Sequence, residues 1–332
     1  MKTPGIFINA TGAYLPDIVS VPDADENSMA GVAVAGQISS IEMGLEATRE
    51  ALARWGESVS RLALLFYTDI YHTGPDGWPP QSYLQRHAVG GHVLAAEVRQ
   101  GCNGVFGALE LAAAYLQALP EPRSAVIVSA ANLDTPLLDR FTAMPGFLMG
   151  DGATCLIIGR TPGFARLRSV TSLTVPELEQ LWRGGEPLHP AGAAVGRPLD
   201  LGARMEQFSV IGGGFTPSMA RTLGAAYAQT VSRALDEAGI GVQDVTRVAT
   251  TNEPRPKLEE RLKSIGLRPE SSTWSFSRNV GHSASDQLFA FDHLLNGGEL
   301  SKGDYFLMIG IGPGMSFAAA VIEMIDEPPW TT

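Results

Sequence analysis

Short apolar runs of strand character alternate with helical stretches along almost the whole chain. That rhythm is the strongest constraint on its fold. Residues 6–10 (IFINA), 62–67 (LALLFY), 125–130 (AVIVSA) and 155–159 (CLIIG) read as strands of the first half. Between them, residues 39–55 space their apolar positions as a helix does, and residues 105–118 are rich in strong helix formers. The second half repeats the pattern. Helices are expected at 217–238, 257–265 and 284–296, and strands at 247–251, 305–310 and 316–324. Such alternation implies an α/β fold with helices on both faces of the sheet.

The stretch 166–212 interrupts the rhythm, because Gly and Pro crowd into it (GGEPLHPAGAAVGRPLDLG). It is expected to be a loop-rich connection between a first half, 1–165, and a second half, 213–332. With 332 residues and 45% hydrophobic side chains, the chain can bury a large core. The formal charge of -11 and the lack of a basic run argue against nucleic acid as a partner. Two cysteines, Cys102 and Cys155, do not make a disulfide framework and fit a reducing compartment. No signal peptide and no apolar run long enough to span a membrane is read in the sequence, so a cytoplasmic protein is expected.

The candidate nucleophile is Cys102. The segment Gln100-Gly101-Cys102-Asn103-Gly104 immediately precedes the helix at 105–118, which places Cys102 at a strand-to-helix turn. Glycines on either side permit a sharp bend. The helix N-terminus offers free N–H groups and the positive end of a dipole, and both favour a thiolate that can attack a carbonyl and hold an acyl group. Cys155 lies inside an apolar strand run and is read as structural.

Four short motifs in order carry a resemblance. They are Gly12-Ala13-Tyr14-Leu15-Pro16, the Cys102 turn, Gly150-Asp151-Gly152-Ala153, and Gly310-Ile311-Gly312-Pro313-Gly314. Together they resemble ketoacyl-ACP synthase III of the thiolase-like condensing enzymes, from about residue 5 to residue 324. The Cys102 turn is similar to that family's Ala-Cys-Ala-Gly turn. The resemblance implies a thiolase-like fold of two similar α/β halves in five layers, a homodimer, and an acyl thioester substrate; acyl-CoA or an acyl carrier protein is expected as that substrate, and no cofactor or metal is expected. It also implies an oxyanion hole formed by the N–H of Cys102 and an N–H from the loop at Gly314 and Met315.

The sequence departs from the family in two places. The family's His lies in a Pro-His-Gln-Ala-Asn context, and here the matching position holds Asn252. The family's Asn lies in a Gly-Asn-Thr-Ser-Ala context, and here the matching position holds His282. A condensing enzyme needs two donors on the developing enolate, and an exchanged pair need not aim both there. His282 can still serve Cys102 as a general base. Its ring needs an orienting acceptor, either Asp286, one helical turn on, or Asn252. Either set has the logic of a catalytic triad. It suits transfer of an acyl group to a hydroxyl or amine, as in the synthase-III-like acyltransferases of natural-product pathways. The alternatives are a decarboxylating condensing enzyme and a catalytically silent partner subunit.

The second departure is residues 17–38, which are acidic and lack the Arg, Lys and Trp that meet CoA in the family. A carrier-protein donor or an altered CoA pose follows. His72, His87, His92 and His293 have no metal-like spacing. Gly212-Gly213-Gly214 lacks the P-loop Lys and reads as a flexible entry to the site.

Overall fold

The computed structural model describes residues 1–134, 136–189, 197–211 and 214–331. The first half runs β1 (Phe7–Tyr14), β2 (Ile18–Ser20), β3 (Gly31–Ala33), α1 (Ser40–Trp55), β4 (Leu62–Thr68), α2 (Pro80–Leu84), β5 (Leu94–Glu97), α3 (Gly104–Ala118), β6 (Ser124–Ala131) and β7 (Gly152–Gly159). The second half runs β8 (Ala165–Thr174), α4 (Gln180–Arg183), α5 (Leu201–Ile211), α6 (Pro217–Ala238), β9 (Val245–Ala249), α7 (Arg255–Ser264), α8 (Trp274–Ser277), α9 (Asp286–Asn296), β10 (Tyr305–Gly312) and β11 (Ser316–Met324). No helix among the described residues is long and apolar enough to cross a membrane.

Nine strands form one hydrogen-bonded sheet in the order β5-β4-β6-β7-β1-β8-β11-β10-β9. The halves join where β1 pairs antiparallel with both β7 and β8. Among the described strands of this sheet, the parallel pairs lie at its two ends, β5-β4-β6 and β9-β10. Three of the apolar clusters among the described residues pack the helices on the sheet. One packs α1 against the outer face of the first half, with Met43, Ala47 and Ala51 on Val126, Val128 and Ile157. Another packs α6 and α7 on the outer face of the second half, with Val231, Ala234, Leu258 and Leu262 on Leu307, Ala319 and Val321. The third lies between the halves, where α3 and α9 are buried by strands from both. The two halves of this continuous sheet serve as two layers, and with the helices between and outside them they make the five-layer arrangement that the resemblance implied.

Local signals account for the boundaries. Ser39 caps α1 by accepting from the N–H of Glu42, while the Glu42 carboxylate accepts from the N–H of Ser39. A box of this kind satisfies two of the four N–H groups that a helix end leaves free, and its Ser contributes about 1 kcal/mol. Helix α7 starts at Arg255, two residues before the expected 257, because Pro256 fits the first turn. The strand expected at 247–251 lies at β9, leaving Thr250 and Thr251 as the link to Asn252.

The stretch 166–212 holds more regular structure than its Gly and Pro content suggested, although residues 184–189 and 197–200 carry no helix or strand and residues 190–196 lie outside the described residues. It opens with β8, which pairs with β11 along nine positions and is the strand that joins the halves. Its alternation of inward Ala165, Leu167 and Ser169 with outward Arg166 and Arg168 is the half-buried strand signature that the arginines masked. Helices α4 and α5 follow. Gly212 and Gly213 lie outside the described residues.

Candidate active site

The two central helices aim their N-termini at one place. Cys102 is the second residue of a single 3-10 turn, Gly101–Asn103, that runs directly into α3. Asp286 is the first residue of α9. N–H groups in a first turn have no partner inside the helix, so both ends bring positive potential to the space between them. Gly101 has φ +54°, and a Cβ there would lie 2.5 Å from the ring of Pro313. Only glycine lets the turn bend this way with Pro313 against it.

Cys102 is partly exposed, and its Sγ lies 3.0 Å from Nε2 of His282. Nδ1 of the same ring lies 2.6 Å from Oδ2 of Asp286. His282 and Asp286 are each 2% exposed. The Asp286 carboxylate is fully engaged, because Oδ1 accepts from the N–H of Ser283 and Oδ2 also accepts from the N–H of Asn252. Burial alone would push the imidazole down. The Asp286 carboxylate and Cys102, both in hydrogen-bond contact with the ring, outweigh it and hold the His282 pKa well above its ordinary 6.5. Phe147 tilts against the imidazole with ring centroids 5.3 Å apart.

Of the two candidate orienters for His282, the geometry selects Asp286. Asn252 is buried, but its side-chain Nδ2 donates to the carbonyl of Gly281 at 2.7 Å. It reaches the line of interactions only through its main-chain N–H. The physical reason lies at the start of α9: Asp286, its first residue, meets the ring of His282 in the segment leading into the helix, while Asn252 arrives from the loop after β9 with its Nδ2 donating to Gly281.

Main-chain contacts hold His282 from behind. Its N–H donates to Leu148 and its carbonyl accepts from Gly150. A Cβ on Gly150 would lie 2.3 Å from the Val280 carbonyl, so this close approach needs glycine. Asp151 pins the same segment. Its carboxylate accepts from the N–H groups of Ala35 and Leu133 and from both Nη atoms of the buried Arg140. Sequence reading noted Asp151 in its motif and missed Arg140, which sits in a stretch without strong local pattern.

A cavity of about 490 Å³ opens beside Cys102 and His282. Ile70, Met144, Met149, Leu199 and Leu201 make its apolar wall, with Arg99 and Arg204 at the polar side. Gly314 lines it, whereas Met315 does not: its side chain is buried in the second-half core and its carbonyl accepts from Val175. Cavities of similar size at the β4–β5 edge and around Glu186 and Arg197 contain neither Cys102 nor His282. Among the described residues no group of three His, Cys, Asp or Glu side chains is arranged to hold a metal. His72 meets the carbonyl of Gly74, His87 packs on Tyr83, and His293 stacks on Phe276.

Comparison with known proteins agrees with this architecture. The 3-oxoacyl-ACP synthase III profile matches residues 96–173, and the profile for that enzyme's C-terminal part matches residues 235–324. The mycobacterial β-ketoacyl-ACP synthase III of Mycobacterium tuberculosis is 24% identical over 293 residues, covering 86% of this chain and 82% of the relative. The 3-oxoacyl-ACP synthase III structure from Aquifex aeolicus superposes with a TM-score of 0.75 at 19% identity, over 96% of this chain and 99% of that one, which shows a shared fold. The structure of ChlB3, described as an acyltransferase, superposes with a TM-score of 0.92 at 46% identity, over 98% of this chain and 99% of that one. Matched in both halves and along nearly its whole length, the chain belongs to the ketoacyl-ACP synthase III-like enzymes of the thiolase fold.

Proposed function

We propose that the protein is an acyltransferase that loads an acyl group from acyl-CoA or an acyl carrier protein onto Cys102 and passes it to a hydroxyl or amine, in a secondary-metabolic setting. One observation carries this reading. Cys102, His282 and Asp286 stand in a single hydrogen-bonded line, while the amide of Asn252 is turned to the Gly281 carbonyl. The line suits acyl transfer. The diverted amide leaves a condensation without its second donor on the enolate.

The steps follow from the atoms. Nε2 of His282 takes the proton of Cys102 as Sγ adds to the thioester carbonyl. The tetrahedral oxyanion accepts from the N–H of Cys102 and that of Gly314, fixed donors that commonly contribute about 10²–10³ in rate each. The C–S bond to the donor breaks, and its thiolate leaves with the proton from Nε2. An acceptor hydroxyl or amine then gives its proton to Nε2 while adding to the acyl carbonyl. Cys102 leaves as a thiolate and recovers the proton. Asp286 holds the ring and stabilises the imidazolium that each half-reaction creates.

The same reading takes the protein as a homodimer. Supporting it, β5 is an end strand of the sheet, and Leu94 upon it is 53% exposed. The test is intact-protein mass spectrometry after incubation with a panel of acyl-CoAs, malonyl-CoA included, and with matching acyl carrier proteins. An adduct confined to chains that keep Cys102, with malonate retained when malonyl is offered, is the expected result. Loss of carbon dioxide and a longer ketoacyl product would instead indicate a condensing enzyme. No adduct from any donor would indicate a silent subunit.

A further inference from the structure

Asn103 directly follows the nucleophile and does not do what an asparagine there ordinarily does. It is the N-cap residue of α3, where Asn is among the best capping side chains, yet it makes no capping bond. Its amide is wholly buried and turns away from the helix. Nδ2 donates to the carbonyl of Ser316 at 3.0 Å and to its hydroxyl at 2.9 Å. The Ser316 hydroxyl in turn donates to the carbonyl of Pro313 at 3.2 Å. The end of β10 leaves room for this amide. A Cβ on Gly310 would lie 2.3 Å from Oδ1 of Asn103, and one on Gly312 would lie 3.0 Å from its Cγ. The Ala-Cys-Ala-Gly turn that this segment resembles has an alanine in the same place, and an alanine can make none of these bonds.

We propose that Asn103 is a positioning residue that clamps the 313–316 turn onto the Cys102 turn and so sets the spacing of the two N–H groups that receive the thioester oxyanion. The inference rests on the reading of Cys102 as the acyl-carrying nucleophile. The two donors come from opposite halves of the chain, one ahead of α3 and one after β10. Local backbone geometry therefore cannot fix their separation. Pro313 against Gly101 sets one point of contact, and the Asn103 amide sets the second. Two points define the approach of one turn to the other, where a single van der Waals contact leaves it free to pivot.

The test compares two reactions of Cys102 in the full-length protein. Acylation by an acyl-CoA passes through an oxyanion, whereas alkylation by iodoacetamide is a displacement at carbon with none. Asn103→Ala is expected to slow acylation by roughly 10- to 100-fold, the cost of a misplaced reacting geometry, with alkylation and KM for the thioester unchanged. Ser316→Ala, which removes one acceptor and the tie to Pro313, should lower the acylation-to-alkylation ratio about fivefold, as expected for one hydrogen bond. A ratio unchanged in both variants, or acylation and alkylation falling together, overturns the proposal. Should Asn103→Ala fail to fold, Ser316→Ala decides by the same ratio. If wild type is alkylated and yet no thioester acylates it, the acyl-enzyme reading itself fails, and the clamp fails with it.

Discussion

The chain has two free thiols, and their surroundings differ in almost every respect. Cys155 lies in the middle of β7, paired between Gly12 of β1 and Val128 of β6, and is 1% exposed. Burial pushes its thiol up to about 12, so at neutral pH it remains protonated and inert. Cys102 stands on a glycine-flanked turn at a helix N-terminus, lines a cavity, and faces an imidazole backed by a carboxylate. Both sit in apolar neighbourhoods. A thiol becomes a nucleophile here because the fold supplies a turn, a dipole end and a base, and β7 supplies none of these.

The largest expected effect separates the thiols outright. Cys102→Ala should abolish the acyl adduct and lower transfer by at least about 10³, the usual scale for losing a nucleophile, while Cys155→Ala leaves the adduct intact. An adduct on Cys155, seen by peptide mapping, would break the comparison. Next in size is the base. His282→Ala should slow loading of Cys102 by roughly 10²–10⁴, measured as the rate of adduct formation.

Asp286→Asn tests why the imidazole is basic. Its burial opposes the charged ring, and the carboxylate together with Cys102 reverses that, so the folded-state pKa of His282 is raised. A raised value means the charged ring contributes stability that is whole below about pH 6.5 and is lost as pH rises through the folded-state value. In Asp286→Asn, His282 should titrate lower by NMR, and the alkaline loss of stability should shrink. An unmoved titration would remove Asp286 from the line. The smallest effect belongs to the quiet thiol: Cys155→Ala should cost about 1 kcal/mol by chemical denaturation, the scale of a small core truncation.

Much of this was legible in the sequence, and the limits have physical causes. Strands such as β6 and β7 are buried on both faces and read as unbroken apolar runs. Helices α1 and α6 announce themselves by the helical spacing of their apolar positions. Strand β8 was hidden because its alternate positions carry arginine and serine within a Gly- and Pro-rich neighbourhood. At the site, the spacing from His282 to Asp286 pointed to one face of one turn, and the two do meet there, though through the residues leading into α9. The choice between Asp286 and Asn252 was a question of where an amide points, which depends on the Gly281 carbonyl and has no signature in one dimension. Arg140 and Asn103 act across the fold on Asp151 and Ser316, and contacts of that range leave no local pattern.

The central claim is that acyl groups pass through Cys102 on the way to an acceptor without condensation. Single-turnover mass spectrometry tests it most directly. The acyl-Cys102 protein is prepared, freed of excess donor and mixed with a hydroxyl or amine acceptor panel, and adduct and product are followed together. The account expects the adduct to decay at the rate at which an ester or amide appears, in equal amount and with no carbon dioxide released. Product formed while the adduct persists, or chain extension with loss of carbon dioxide from a malonyl donor, would contradict it.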